Sequence, residues 1–346
     1  MTTTGIRLCR TAVAGLLLMT AAGPAAASGF QLNERSTKAL GASLAGAVSA
    51  ASDVSFAGFN PAALSRVETA EIATNLSAVF PRSEGRVATG PARGFSFDSG
   101  QGAAIPAFAA GLRLNEVVTI GITTHAPFGL VTDHPPGFPG AADGTTSDLV
   151  TIQVSPMVAF DISESLSLGV AADVLHADVR LKSAVTQLDG DDVALGVSAG
   201  ALWQPLERTR VGVAYHSGFD LRTEGTQRNL LLGGVTAPLE AEASLPAMVQ
   251  FGVTQGVTGR LSVMAEARWI GWETFDTIAL SSPALAGTPF AEFEEVQNYD
   301  NAVFAALGAE YAAAPRLTLR GGSADDDTPT TDAFRTVRVP DGERLW

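Results

Sequence analysis

Cysteine is almost absent. Cys9 is the single one, and it precedes a short apolar run, whereas a lipoprotein cysteine would follow such a run. Beyond it the chain can form no disulfide, no thiolate metal site and no cysteine nucleophile, as suits an exported protein built without redox chemistry. Charge is scarce too. Only 17% of residues are Asp, Glu, Lys or Arg, against ~25% in soluble domains. That charge runs negative, net −14, so no basic patch offers a footprint for nucleic acid. Long apolar runs are also missing: none reaches the ~18 residues of a helical membrane span. The four histidines, His125, His134, His176 and His216, lack metal-ligand spacing. No G-x-S-x-G elbow and no compact Ser/His/Asp set is visible. Neither an enzyme, a metal site nor a cofactor is expected.

What is present begins with an export signal. Arg7 and Arg10 precede the apolar stretch Thr11 to Gly23, which contains Leu16-Leu17-Leu18-Met19. Ala25-Ala26-Ala27 has the small-x-small form that signal peptidase accepts. Residues 1–27 therefore read as a cleaved signal peptide, with Ser28 as the mature start. Cleavage removes two arginines and leaves the remainder more acidic still.

From about residue 71 onward, apolar residues recur at every second position. Ile152, Val154, Val158, Phe160 and Ile162 share one face, opposite Gln153, Ser155 and Asp161. Val211, Val213 and Tyr215 repeat the pattern, as do Leu261, Val263, Ala265, Ala267 and Trp269. Period 2 is the strand signature. The segments fall at roughly 71–81, 103–114, 117–125, 149–162, 166–182, 192–204, 209–223, 243–256, 260–275, 298–313 and 316–323. Many exceed the usual 5–6 residues of a globular strand. Tight turns such as Asn115-Glu116 and Ala314-Pro315 alternate with longer connections at 82–102, 126–148, 183–191, 224–242, 276–297 and 324–345. A soluble β-sandwich has no reason to keep that rhythm; an outer-membrane barrel has short periplasmic turns and long outer loops. The rhythm places the N-terminus in the periplasm. It also gives about eleven strands where single-chain bacterial barrels have even numbers, so the expectation is that an odd number of strands is missing after Trp346.

Residues 28–70 do not alternate. Asn60-Pro61 reads as a helix start, the Asn capping free N–H groups and the Pro suiting the first helical position. The alanine-rich stretch 35–51 is expected to form a short helix. With few charges and small apolar residues, this segment is expected to sit inside the barrel lumen as a plug.

At this point the residues resemble a known family. Ser28-Gly29-Phe30-Gln31-Leu32-Asn33-Glu34 looks like the N-terminus of the FadL/TodX family of outer-membrane transport proteins. Asn60-Pro61-Ala62 is similar to its NPA motif, and Ala126-Pro127-Phe128-Gly129-Leu130 to its APFGL segment. Trp203 to Tyr215 and Arg338 to Trp346 resemble its sixth-to-seventh strand hairpin and the opening of its twelfth strand. The resemblance implies an all-β transmembrane fold: an antiparallel barrel, 14-stranded in the family, over 71–346, with an N-terminal hatch over 28–70 containing short helices. It implies passive uptake of long-chain fatty acids or other hydrophobic compounds, with hatch rearrangement and lateral exit through a kinked third strand. Outer-membrane lipids, periplasmic chaperones and barrel-assembly machinery are the further partners implied. The carried-over ligand-binding residues are Phe30, Asn60, Pro61, Ala62 and Phe128. Glu266, Arg268, Arg180 and Lys182 are candidate lumen charges, the cations being able to hold a carboxylate by charge-assisted hydrogen bonds. The acidic runs Asp189 to Asp192 and Asp325 to Asp327 are expected in outer loops as solvated charge. A non-transporting surface barrel, a non-functional truncated product and an aromatic hydrocarbon channel remain as alternatives.

Overall fold

The computed structural model describes residues 29–331, 333–339 and 344–345, the last pair by backbone alone. The expected signal segment, residues 1–27, lies outside the described residues. One antiparallel wall dominates. Its strands are β1 (Ala70–Val79), β2 (Ala103–Arg113), β3 (Val118–His125, resumed at Gly129–Asp133) and β4 (Thr146–Ser163). Next come β5 (Leu166–Lys182), β6 (Thr186–Leu206) and β7 (Thr209–His216, resumed at Phe219–Asn229). Then follow β8 (Val235–Leu245, resumed at Met248–Gly256) and β9 (Leu261–Ile270, resumed at Thr277–Ser281). The last are β10 (Glu292–Val296, resumed at Ala302–Ala314) and β11 (Leu317–Asp326). Each strand pairs with the next in sequence. Among the described residues β1 pairs with β2 alone, and β11 pairs with β10 and with Arg344–Leu345.

The wall is apolar on its outside. Leu195 is 77% exposed, Ile72 72% and Leu307 69%. Such residues alternate with buried ones along every strand, and so large a continuous apolar surface is not found on soluble monomers. It is what a wall facing lipid requires. Among the described residues no helix is long and apolar enough to cross a membrane.

Residues 29–67 fill the space inside the wall, and most of them are buried. Ser36 caps a single helical turn, Thr37–Leu40, and Asn60 caps a 3-10 helix, Pro61–Arg66. The expected helix over 35–51 stops at Leu40. Ser43, Leu44 and Ala51 take positive φ angles, which a right-handed helix excludes; turns replace it and follow the inner surface of the barrel. The wall makes room for them with inward-facing glycines. A Cβ on Gly169 would strike the backbone of Pro61 and Ala62, one on Gly200 the Asn60 side chain, and one on Gly212 the Val48 carbonyl. Gly169 and Gly200 face each other across β5 and β6, so the plug lies directly on bare backbone.

Two expected outer loops are shorter than their spacing suggested. Residues 183–185 alone join β5 to β6, and residues 230–234 join β7 to β8. The strands run on because their outer ends still pair: Thr186–Asp191 of β6 are in register with Glu224–Asn229 of β7. Asp189 to Asp192 therefore lie in a strand rather than a loop, and Asp325 and Asp326 end β11.

Candidate ligand-binding site

The strands that run past the lipid-facing belt enclose an apolar cavity. Its empty space is ≈ 870 Å³, counting the part open to solvent, within the ~300–1,000 Å³ range of small-molecule pockets. Alternate inward positions supply the lining: Leu181, Leu188, Leu221, Leu239, Leu245 and Leu280 are among them. The outward positions of the same segments carry Asp178, Arg180, Asp189, Asp191 and Glu224. The outer part of the barrel is thus a charged collar around a greasy lumen.

Phe30 of the plug reaches up into this cavity. Its ring meets Trp272 at 4.9 Å, Phe275 at 5.2 Å and Phe128 at 6.0 Å between centroids, and Tyr299 adds to Trp272 at 5.6 Å. These tilted and edge-on contacts suit aromatic quadrupoles and close the bottom of the cavity. Trp272 and Phe275 come from the interruption in β9, where a 3-10 turn, Trp272–Thr274, replaces ladder and carries both side chains inward.

Phe128 lies in a second interruption, in β3. β2 pairs with β3 only from Phe108↔Thr124 inward to Arg113↔Thr119. Further out, Ala103–Ala107 of β2 pairs with β1 alone, and Gly129–Asp133 of β3 pairs with β4 alone. The wall has a gap there, level with the exposed Val150 and Ile152 of β4. The plug fills it like a short strand. Leu32 N–H donates to Pro127 O at 2.8 Å and Gly129 N–H to Phe30 O at 2.9 Å. On the other side, the Thr151 hydroxyl donates to Phe128 O at 2.5 Å and accepts from its N–H at 3.1 Å. Backbone groups freed by the break are satisfied by the plug, as a low-dielectric surrounding demands.

Beneath the aromatic floor lies a polar layer. Arg268 donates to Asn33 Oδ1 at 2.7 Å, sits 3.5 Å from Glu266 and stands 4.5 Å over the Phe304 ring. Glu266 also accepts from Val48 N–H at 3.3 Å. Arg35, whose guanidinium burial pulls down to about 10, donates to Gly58 O at 2.6 Å and lies 5.3 Å over Phe59. Asp173 accepts from Ser155 at 2.6 Å and from Ser198. Ser198 in turn lies 2.7 Å from His216 Nδ1, and His216 Nε2 is 2.9 Å from Phe59 O. The barrel register therefore assembles a compact Asp/Ser/His set that the linear spacing hides. Its order is wrong for a hydrolase, where the imidazole stands between serine and carboxylate; here the hydroxyl stands in the middle, and the second ring nitrogen faces a backbone carbonyl.

The sequence-derived candidates separate into two places. Phe30 and Phe128 meet at the cavity floor. Asn60 donates to Val48 O at 2.8 Å and Ala201 O at 3.0 Å, and accepts from Ala62 N–H at 3.0 Å. Asn60, Pro61 and Ala62 thus lock the base of the plug to β6, away from the apolar cavity, though Pro61 borders a small polar pocket beside Asp173, Ser198 and His216. Of the candidate charges, Arg180 faces outward and is held by Asp189 at 2.9 Å and Asp148 at 3.7 Å. Glu266 and Arg268 do face the lumen. Sequence reasoning missed Trp272 and Phe275; the run Gly271-Trp272-Glu273-Thr274-Phe275 breaks the alternation, and that break was the available signal.

A family model described as outer membrane protein transport protein (OMPP1/FadL/TodX) matches residues 18–346. The 47 kDa outer membrane protein of Pasteurella multocida is 27% identical, over 95% of this chain and 84% of that protein. The long-chain fatty acid transport protein of Salmonella typhi is 22% identical, over 92% of this chain and 82% of that one. Among solved structures, a Pseudomonas aeruginosa FadL homologue superposes with a TM-score of 0.79 at 22% identity, covering 92% of this chain and 85% of its own. The Ralstonia pickettii toluene transporter TbuX gives 0.69 at 17% identity, covering 86% and 87%.

Proposed function

The chain belongs to the OMPP1/FadL/TodX family of outer membrane transport proteins, and from that premise we propose that it is a passive uptake channel for hydrophobic compounds, long-chain fatty acids foremost. One observation carries the reading: the floor of the apolar cavity and the stopper of the wall gap are the same few residues. Phe30 closes the cavity, and the backbone of Phe30–Leu32 fills the break at Phe128. Withdrawing that segment would open the cavity floor and the gap together. Cargo would then pass sideways between β2 and β3 into the outer leaflet and avoid the charged layer below. Residues 28–70 act as the hatch in this scheme, 71–346 as the wall and 1–27 as the export signal. Outer-membrane lipids surround the belt, and periplasmic chaperones with the barrel-assembly machinery deliver the chain. The protein performs no chemistry, and the Asp173–Ser198–His216 row holds the hatch through Phe59.

Cells lacking their own uptake channel test this. Expression of this protein should confer uptake of labelled oleate, and heating should shift its band on a gel as a folded barrel does. A folded protein that takes up neither oleate nor toluene would leave a surface barrel without transport. The aromatic floor favours monoaromatic hydrocarbons as a second cargo, since stacking on Phe30, Phe128 and Trp272 needs no polar group. Toluene uptake without oleate uptake would select that reading.

A further inference from the structure

Resting on the uptake reading, we propose that Arg338 anchors an anionic head group at the mouth of the cavity, so that the cargo is a single-chain amphiphile, a long-chain carboxylate with its tail among the leucines. The cavity wall offers aliphatic side chains and no cation: Arg180 turns outward to Asp148 and Asp189, while Arg35 and Arg268 are engaged below the floor. Arg338 is placed differently. Its neighbour Val339 is buried and lines the cavity. The carbonyl of Val337 lies 2.9 Å from His134 Nε2, which fixes this segment across the mouth.

The guanidinium is aimed at the lumen. Its Nε lies 3.6 Å from Glu295 Oε2. Glu295 stands directly opposite Ile278 in the ladder between β10 and β9, and directly opposed residues share a face; Ile278 lines the cavity. Glu295 is also occupied from the other side, by Gln297 Nε2 at 3.2 Å. A guanidinium has five donors. One long ion pair leaves most of them, and the buried Nη1 of Arg338 has no partner. A carboxylate can be received there in the two-pronged manner that arginine favours. The rival reading is a structural clamp, in which Glu295 and nearby Asp143 merely hold the charge.

Full-length protein purified in detergent separates the two, with oleate and its uncharged methyl ester as probes. Arg338→Gln should weaken oleate by about tenfold or more, the range of a charge-assisted hydrogen bond, and leave methyl oleate within about twofold. Arg338→Lys should retain the preference for oleate. Glu295→Gln should leave oleate binding unchanged or tighter, because it removes a competing carboxylate. Loss of both probes together in Arg338→Gln, unchanged oleate binding in it, or weaker oleate binding in Glu295→Gln would overturn the anchor. Wild-type protein that binds the ester but not oleate would also overturn it and spare the uptake reading; wild-type protein that binds neither would overturn the uptake reading itself.

Discussion

Phe30 joins two tasks that substitution can separate. Its ring contributes to the cavity surface, and its backbone carbonyl holds Gly129. Phe30→Ala removes the ring and keeps the hydrogen bond. Losing that contact should cost a bound apolar ligand about 1.5 kcal/mol, roughly tenfold in affinity. Phe30→Leu, which keeps most of the apolar area, should lose far less. Displacement of a fluorescent fatty-acid analogue measures both; equal affinity in all three proteins would mean that the ring only packs the floor. A second residue, Asp98, reports on the outer hairpin formed by residues 84–86 and 96–98. It accepts N–H from Ser83 and Gly100, both at 3.0 Å, which holds its carboxyl below the ordinary 3.8. The folded value is the lower one, so the carboxylate's contribution is fully present above the unfolded value and fades as pH falls through the folded value. Pepsin nicking between residues 80 and 102 should therefore stay flat down to about pH 4 and rise below it. Asp98→Asn should flatten that rise, and a wild-type profile in the variant would show that Asp98 plays no part.

At the scale of elements, the seating of the plug strand against β3 is the feature on which uptake should turn. Gln31 and Phe128 form an antiparallel bridge, a separation that a disulfide can span. With Cys9 the single native cysteine, a Gln31→Cys/Phe128→Cys pair gives an unambiguous cross-link. Oxidised protein should lose oleate uptake by about the full amount, and reductant should restore it; uptake that persists when oxidised would show that the plug does not move here. The strands themselves were legible in the residues, because a wall wet on one face and greasy on the other must alternate. All eleven appear near their expected places. Their interruptions were less legible. The kink near Ala126 to Phe128 came through family resemblance, while those at Ser217, Pro246, Gly271 and Gln297 give no period of their own. The plug was half legible: Asn60 and Pro61 announce a helix cap by local chemistry, but 35–51 obeys the barrel that surrounds it rather than its alanines. The glycines facing it, such as Gly169 and Gly200, look like weak strand positions until a neighbour 100 residues away explains them. Phe30 and Phe128 were found and Trp272 was not, because contacts across a barrel carry no signature in linear spacing.

For the whole molecule, the distribution of charge with height decides which end faces the medium. The lipid-facing belt ends at Val150, Val174, Val193 and Tyr215, and the strands beyond carry Asp148, Asp178, Asp191 and Asp220 on their outward faces, together with arginines. The apolar cavity lies on that side of the belt, above the lipid and inside the collar. A hydrophobic molecule can leave water there without first crossing a charged surface layer in the membrane plane. The polar layer of Arg35, Asp173, Glu266 and Arg268 closes the opposite end. Capture followed by sideways release requires the collar to be outside the cell and the tight turns in the periplasm. Short epitope tags test this, placed in exposed loops where insertions are tolerated. Tags beside Gly233 and Gly287, both glycines with positive φ and open space around them, should be reached by antibody on intact cells. A tag beside Gly259, in the turn between β8 and β9, should be reached only after the outer membrane is permeabilised. The reverse pattern would place the cavity in the periplasm, and a gap that releases cargo into the outer leaflet would then serve export rather than uptake.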